Sequence, residues 1–128
     1  STYDDLFDEL KALYPKDYAV QRTLARLLRE TGQYIDSTKM YQQLTREFPN
    51  DTVLWYHLAE LYGLQQNLEQ LHRARIEFFT LRAEFDLALR QIEFARRDAR
   101  NNKTQLGWLN QREQEVNALK KQMDDLFR

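Results

Sequence analysis

Apolar residues along this chain fall at helical spacing in blocks separated by short polar breaks. Leu6, Phe7, Leu10 and Leu13 predict a helix over residues 3–14, with Asp4 and Asp5 at the positive end of its dipole and Pro15 as its stop. Leu24, Ala25 and Leu28 predict a second helix from Tyr18 to Thr31, ended by Gly32, a residue that takes positive φ freely. Gln33 to Phe48 reads as its partner, carrying Tyr34, Ser37, Tyr41 and Leu44 on one side, and Pro49 closes the unit. A fourth helix opens at Asp51 or Thr52 as N-cap and carries Trp55-x-x-Leu58-Ala59-x-x-Tyr62. In that order of large, small and large side chains, the rings fill gaps between layers while Ala59 lets two helices approach closely.

The blocks repeat. Pro15-Lys16-Asp17 returns as Pro49-Asn50-Asp51, 34 residues on. Phe7/Tyr41, Leu10/Leu44, Tyr14/Phe48, Leu24/Leu58, Ala25/Ala59 and Leu28/Tyr62 return with it. Past this point the phase changes: Phe85, Ala88, Ile92 and Ala95 match Tyr34, Ser37, Tyr41 and Leu44 at an offset of 51, one and a half periods. The helix from about Leu68 to Arg82 must then serve two hairpins, through Leu68, Leu71 and Phe78 for one and Ile76 and Phe79 for the next, and be covered on both sides. Asn101-Asn102-Lys103-Thr104 is a polar break before a long last helix to about Phe127, whose stripe is Leu106, Leu109, Val116, Leu119, Met123 and Leu126.

A 34-residue helical hairpin with this residue order resembles the tetratricopeptide repeat. That resemblance implies an all-α, right-handed solenoid of antiparallel helix hairpins with a long C-terminal capping helix, holding another polypeptide in its concave groove. The expected organisation is one domain over residues 1–128. Residues 1–17 are the second helix of a truncated repeat, 18–51 a repeat, 52–103 repeats with the half-unit slip, and 104–128 the cap. The start at Ser1 without methionine, on the second half of a unit, predicts a piece of a longer protein whose signal peptide lay upstream.

Composition narrows the chemistry. With 19 basic and 20 acidic residues no global field draws the chain to nucleic acid or an anionic membrane, so charged recognition has to be local. The absence of cysteine removes disulfides and thiolate metal sites. No apolar run reaches the roughly 20 residues of a membrane span. The two histidines, His57 and His72, do not form the His-Glu-x-x-His of a zinc peptidase, and the two serines, Ser1 and Ser37, lack a glycine-flanked elbow. No catalytic residue, metal ligand or cofactor is expected in this chain.

Arg22, Arg26 and Arg29 lie four and three residues apart, on the side of their helix away from Leu24 and Leu28. In tetratricopeptide arrays that side of the first helices lines the groove, where guanidinium groups can grip a carboxylate bidentately. The matching places further on are Tyr56, Glu60, Arg73 and Glu77, with His57 beside them, and these eight residues form the expected partner-binding groove. The bland alternative is a solvated helix face with internal salt bridges. A second basic run of Arg90, Arg96, Arg97, Arg100 and Lys103 shares its helix with Glu93 and Asp98 and has no stacking platform, so nucleic acid is not an expected partner.

The stretch from Trp55 to Leu126 resembles more specifically the carboxy-terminal repeats of periplasmic M48-type metalloproteases, the group that includes the β-barrel assembly-enhancing protease of Gram-negative bacteria. The likeness is carried by Trp55-x-x-Leu58-Ala59-Glu60, Asn67-Leu68-Glu69-Gln70, Ala83-Glu84-Phe85-Asp86-Leu87-Ala88-Leu89 and the late helix from Gln111-Arg112 to Leu126. Residues 3–54 align as ordinary repeats. The resemblance implies a periplasmic protein with zinc and catalysis in a separate protease domain. Its repeats would contact outer-membrane β-barrel substrates and their assembly machinery. The alternative is a scaffold of another pathway that binds a carboxylate-bearing or acidic peptide through Arg22, Arg26 and Arg29.

Overall fold

The structure, a computed structural model, describes residues 2–128. Ser1, on which the expectation of an upstream leader rests, lies outside them. The described residues form seven α-helices: α1 Thr2–Leu13, α2 Tyr18–Glu30, α3 Tyr34–Glu47, α4 Thr52–Leu64, α5 Leu68–Leu81, α6 Phe85–Ala99 and α7 Lys103–Leu126. The fold is an all-α helical repeat array, as the periodicity predicts.

Helices α2, α4, α5 and α7 each begin where a short polar side chain takes up an orphan amide hydrogen, whereas Gln33 and Glu84 before α3 and α6 make no such bond. Asp17 accepts from the Val20 N–H at 3.1 Å, Asp51 from Val53 at 3.0 Å, Asn67 from Gln70 at 3.3 Å and Asn102 from Gln105 at 3.0 Å. Three helices end in the same turn. Gly32, Gln66 and Ala83 all have positive φ, at 81°, 57° and 58°. Each donates to the carbonyl three residues back, Arg29, Gly63 and Thr80, while the next residue donates to the carbonyl five back, Leu28, Tyr62 and Phe79. This paired pattern satisfies the last carbonyls of the helix. The spacing of these turns, first 34 and then 51 residues from Gly32, places the shortened interval between Gln66 and Ala83.

Only the first turn uses glycine, so the left-handed conformation of Ala83 carries a steric cost of about 1 kcal/mol. Ala83→Gly should raise stability by about 0.5 kcal/mol, relief of that cost outweighing the added freedom of the unfolded chain. Urea unfolding at constant m-value checks this, and a lowered midpoint would contradict it.

Connections of three or four residues fold consecutive helices back on one another, and each helix packs chiefly on its neighbours in sequence. Two apolar clusters result. The first gathers Leu24, Ala25, Leu28, Tyr41, Leu44, Leu54, Leu58, Leu61, Tyr62, Leu71 and Ala74; the second gathers Ile76, Ala88, Ile92, Ala95, Leu109 and Val116. Helix α5 feeds both, Leu71 and Ala74 facing α4 while Ile76, with Phe79 against it, faces α6. Buried Ser37 donates its hydroxyl to the Ala25 carbonyl at 2.6 Å, pinning α3 to α2 where the small residues bring them close.

Several residues assigned to apolar stripes are instead exposed. Leu6 and Leu13 face solvent because α1 sits at one end of the array and packs only lightly on α2, burying Phe7. Leu68 is exposed at the first turn of α5, and the α4 side of the helix is served by Leu71. At the other end α7 has 24 residues against 15 in α6. The Lys120 ammonium meets Asp86 in the first turn of α6 at 2.7 Å. Beyond that point α7 has outrun its neighbour, which leaves Leu126 80% exposed.

Candidate functional site

Helices α2 and α4 present the residues of the expected groove, and the structure joins one part of that set closely. The Arg29 guanidinium donates to Glu60 Oε1 at 2.7 Å and lies 3.4 Å from His57 Nδ1, while His57 lies 3.3 Å from the same Glu60 oxygen. Burial, followed by the Arg29 charge, holds the His57 pKa below its usual value against the pull of Glu60. His57 is therefore neutral near pH 7, and the trio carries one cation and one anion. Tyr56, half-exposed, meets the His57 ring edge-on at 5.6 Å and the Phe78 ring at 5.9 Å, continuing the face toward α5. Arg82 closes this edge, its guanidinium 5.2 Å from the Phe78 ring centre.

Arg22 and Arg26 stand apart from that balanced trio. The Arg22 guanidinium lies over the Tyr18 ring at 5.5 Å. Arg26 reaches only Glu30 at 3.9 Å, with both side chains exposed, a contact worth a few tenths of a kcal/mol. Two cationic groups thus face solvent beside an aromatic strip.

Arg73 and Glu77 do not join the Arg29 trio. Arg73 donates to Gln105 at 2.7 Å and covers the Trp108 ring at 4.6 Å, and Glu77 accepts from Arg112 at 2.8 Å. The 51-residue relation explains the difference. It pairs Arg22 with Arg73, Arg26 with Glu77, Leu58 with buried Leu109, and Leu61 with Arg112. On the second copy α7 supplies a guanidinium and the face closes on itself. The first copy has leucine at that place, and Arg26 has no counterpart from α4.

Sequence reasoning took Tyr41 as core only. Its ring is fully buried and stacks on His57 at 5.3 Å, yet its hydroxyl is buried without a hydrogen-bond partner among the described residues. Burial raises its pKa, opposed by the charges of Arg29, Arg22 and Arg26 in turn, so the proton stays on. The signal available in the sequence was the mismatch of a phenol at a place where the second copy has Ile92. His72 is also part of the interior: Gln91 donates its amide to Nδ1 at 2.8 Å, leaving Nε2–H for Asp98 at 2.6 Å. The basic run on α6 is partly consumed, because Arg96 pairs with Glu93 and with Glu113 at 2.8 Å.

Residues 18–61 match the family model of the tetratricopeptide repeat. The matched segment contains α2, α3 and most of α4, and hence Arg22, Arg26, Arg29, Tyr41, Tyr56, His57 and Glu60. The match supports a tetratricopeptide domain, whose general use is binding other proteins. Comparison with curated proteins gives no match. Among the described residues no three His, Asp or Glu side chains gather as a metal site, and no helix is long and apolar enough to cross a membrane.

Proposed function

We propose that this chain is the non-catalytic binding domain of a periplasmic zinc metalloprotease and chaperone. It holds segments of assembling outer-membrane β-barrel proteins, and contacts their assembly machinery, on the face built by α2 and α4. Catalysis and zinc belong to a protease domain outside this sequence. The observation that carries the reading is the open α2–α4 face, where Arg22 and Arg26 lack carboxylate partners from α4 beside the half-exposed Tyr56. An unfolded polypeptide offers apolar and charged groups together, and such a face suits both. The half-unit slip and the long last helix support the choice of family, through the residue segments that carry that resemblance.

A photo-crosslinking amino acid at Tyr56, in the full protein in Gram-negative cells, tests this. Crosslinks to β-barrel polypeptides or their assembly proteins are expected from Tyr56 and not from Ile35, which is 66% exposed on α3. Equal capture from both positions, or capture of cytosolic proteins alone, would overturn the proposal. The second reading, a scaffold of another pathway that binds an acidic peptide, is favoured by the same Arg26, whose carboxylate contact is the exposed Glu30 of its own helix at 3.9 Å, and predicts that last outcome.

A further inference from the structure

We infer that the solvent face of α6 is a second interaction surface, on which an acidic amphipathic helix of another protein docks along Leu87, Arg90, Phe94 and Arg97. This surface shares no residue with the α2–α4 face.

Helix α6 buries Ala88, Gln91, Ile92 and Ala95, which turns Leu87, Arg90, Phe94 and Arg97 outward. Their spacing of three, four and three residues sets them in one line about 15 Å long, the spacing along which one helix meets another. Leu87 is 38% and Phe94 44% exposed, so two large apolar side chains stand in water, each followed by an arginine along the line. The 51-residue relation supplies an internal comparison. The matching residues of α3 are Asp36, Lys39, Gln43 and Arg46, all exposed and all polar, an ordinary solvated face. Helix α6 keeps both cationic positions and puts leucine and phenylalanine where α3 has aspartate and glutamine.

The carboxylates of α6 do not answer these arginines. Lys120 takes Asp86 at 2.7 Å, Arg96 takes Glu93, and His72 holds Asp98 at 2.6 Å. The Lys120 hydrogen bond is also the main cause of the lowered Asp86 pKa, with Arg90 the least of the influences on it. Arg90 and Arg97 thus have no ion pair among the described residues, and Arg97 instead lies over the Phe94 ring at 5.9 Å. A partner helix that alternates apolar and carboxylate side chains along one stripe meets this line layer by layer. Its apolar groups cover Leu87 and Phe94, and its carboxylates take the guanidinium groups bidentately between layers that exclude water. An anionic membrane or a nucleic acid fits less well. A lipid surface calls for clusters of about four or more basic residues, and a net charge of −1 gives no long-range pull toward either.

The probe is a fluorescein-labelled peptide, three heptads long and capped at both ends, with leucine and glutamate alternating along one stripe at spacings of three and four. A second peptide has glutamine for each glutamate, and a third has lysine. Fluorescence anisotropy with the full chain should show the glutamate peptide binding about tenfold tighter than the glutamine peptide, as expected for charge-assisted hydrogen bonds. The double reversal of Arg90→Glu with Arg97→Glu should weaken the glutamate peptide about tenfold or more and bind the lysine peptide more tightly than the parent does, because the sign of the match is exchanged. Phe94→Ala should weaken the glutamate and glutamine peptides alike, by about fivefold, through lost apolar cover. All three substitutions lie on the exposed side of α6, so the thermal midpoint should stay nearly level. Equal affinity for the glutamate and glutamine peptides, no gain of the lysine peptide on charge reversal, no loss in Phe94→Ala, or no binding of any of the three would each overturn the proposal. Phosphatidylglycerol vesicles and single-stranded RNA are the competing probes. Retention of the chain by either, tighter than the glutamate peptide and lost on charge reversal, would assign the surface to that class and overturn the helix.

Discussion

Ile76→Ala is expected to lower the unfolding free energy by about 2–5 kcal/mol, the range for deleting buried methylene groups from a core that closes only partly around the gap. Ile76 is fully buried and belongs to the second apolar cluster, while Leu71 and Ala74, less than two turns earlier on the same helix, belong to the first. Helix α5 is therefore the joint through which the two clusters stabilise each other. In an array where each helix packs chiefly on its sequence neighbours, stability is close to a sum of unit and interface terms, so weakening the α5–α6 seam isolates α6 and α7 from the rest. Urea unfolding followed by circular dichroism should show a lower midpoint and a broader or divided transition. Leu68→Ala, on the same helix but exposed, should change stability by no more than about 0.5 kcal/mol. Equal effects of the two substitutions would refute this account of the joint.

Most of the helix layout was legible in the sequence, because the signals for it are local. Pro15 and Pro49 stop helices, Asp17 and Asp51 cap them, and the buried positions of α2 to α4 recur at helical spacing. The stripes misled at the two ends of the array. Leu13 and Leu126 have the correct spacing for burial and nothing to be buried against, since periodicity identifies a face and not its neighbour. The site was legible to a smaller degree. Helix phase placed Arg29, His57 and Glu60 together, which the structure also does. It could not foresee that Gln105 and Arg112 would draw Arg73 and Glu77 toward α7, because those pairings cross 32 and 35 residues and depend on how the last helix lies. Nor does any pattern of apolar spacing reveal that one buried phenol lacks a partner. That requires knowing where every neighbouring acceptor points.

The Glu77–Arg112 pair offers the second large effect. Both side chains retain a fifth of their exposure, and burial raises the Glu77 pKa above its ordinary value of 4.5 even though Arg112 pulls it down. Arg112→Leu removes that pull and leaves a mostly desolvated carboxylate. Breaking a fully buried pair costs about 3–5 kcal/mol; with partial access to water, about 2–3 kcal/mol is expected here at pH 7. The pH dependence has a definite sign. A carboxyl whose folded pKa lies above its unfolded one binds more protons when folded, so its contribution to stability is complete below the unfolded pKa and is lost as pH rises through the folded pKa. Removing Arg112 raises the folded pKa further, so the deficit of the variant relative to the parent should be greatest at neutral pH and shrink as pH falls toward 4. Parallel urea titrations at pH 7 and pH 4 measure this difference, and carboxyls common to both proteins largely cancel. A deficit that does not vary with pH would mean that lost packing of the arginine stem is the cause. The double variant Glu77→Gln with Arg112→Leu separates the charge from the packing. Arg112 Nε is itself buried without a partner, so the native pair is imperfectly satisfied. Neutralising both ends should therefore recover most of the stability at pH 7, leaving the α5–α7 contact as a closed face that needs no anion from outside.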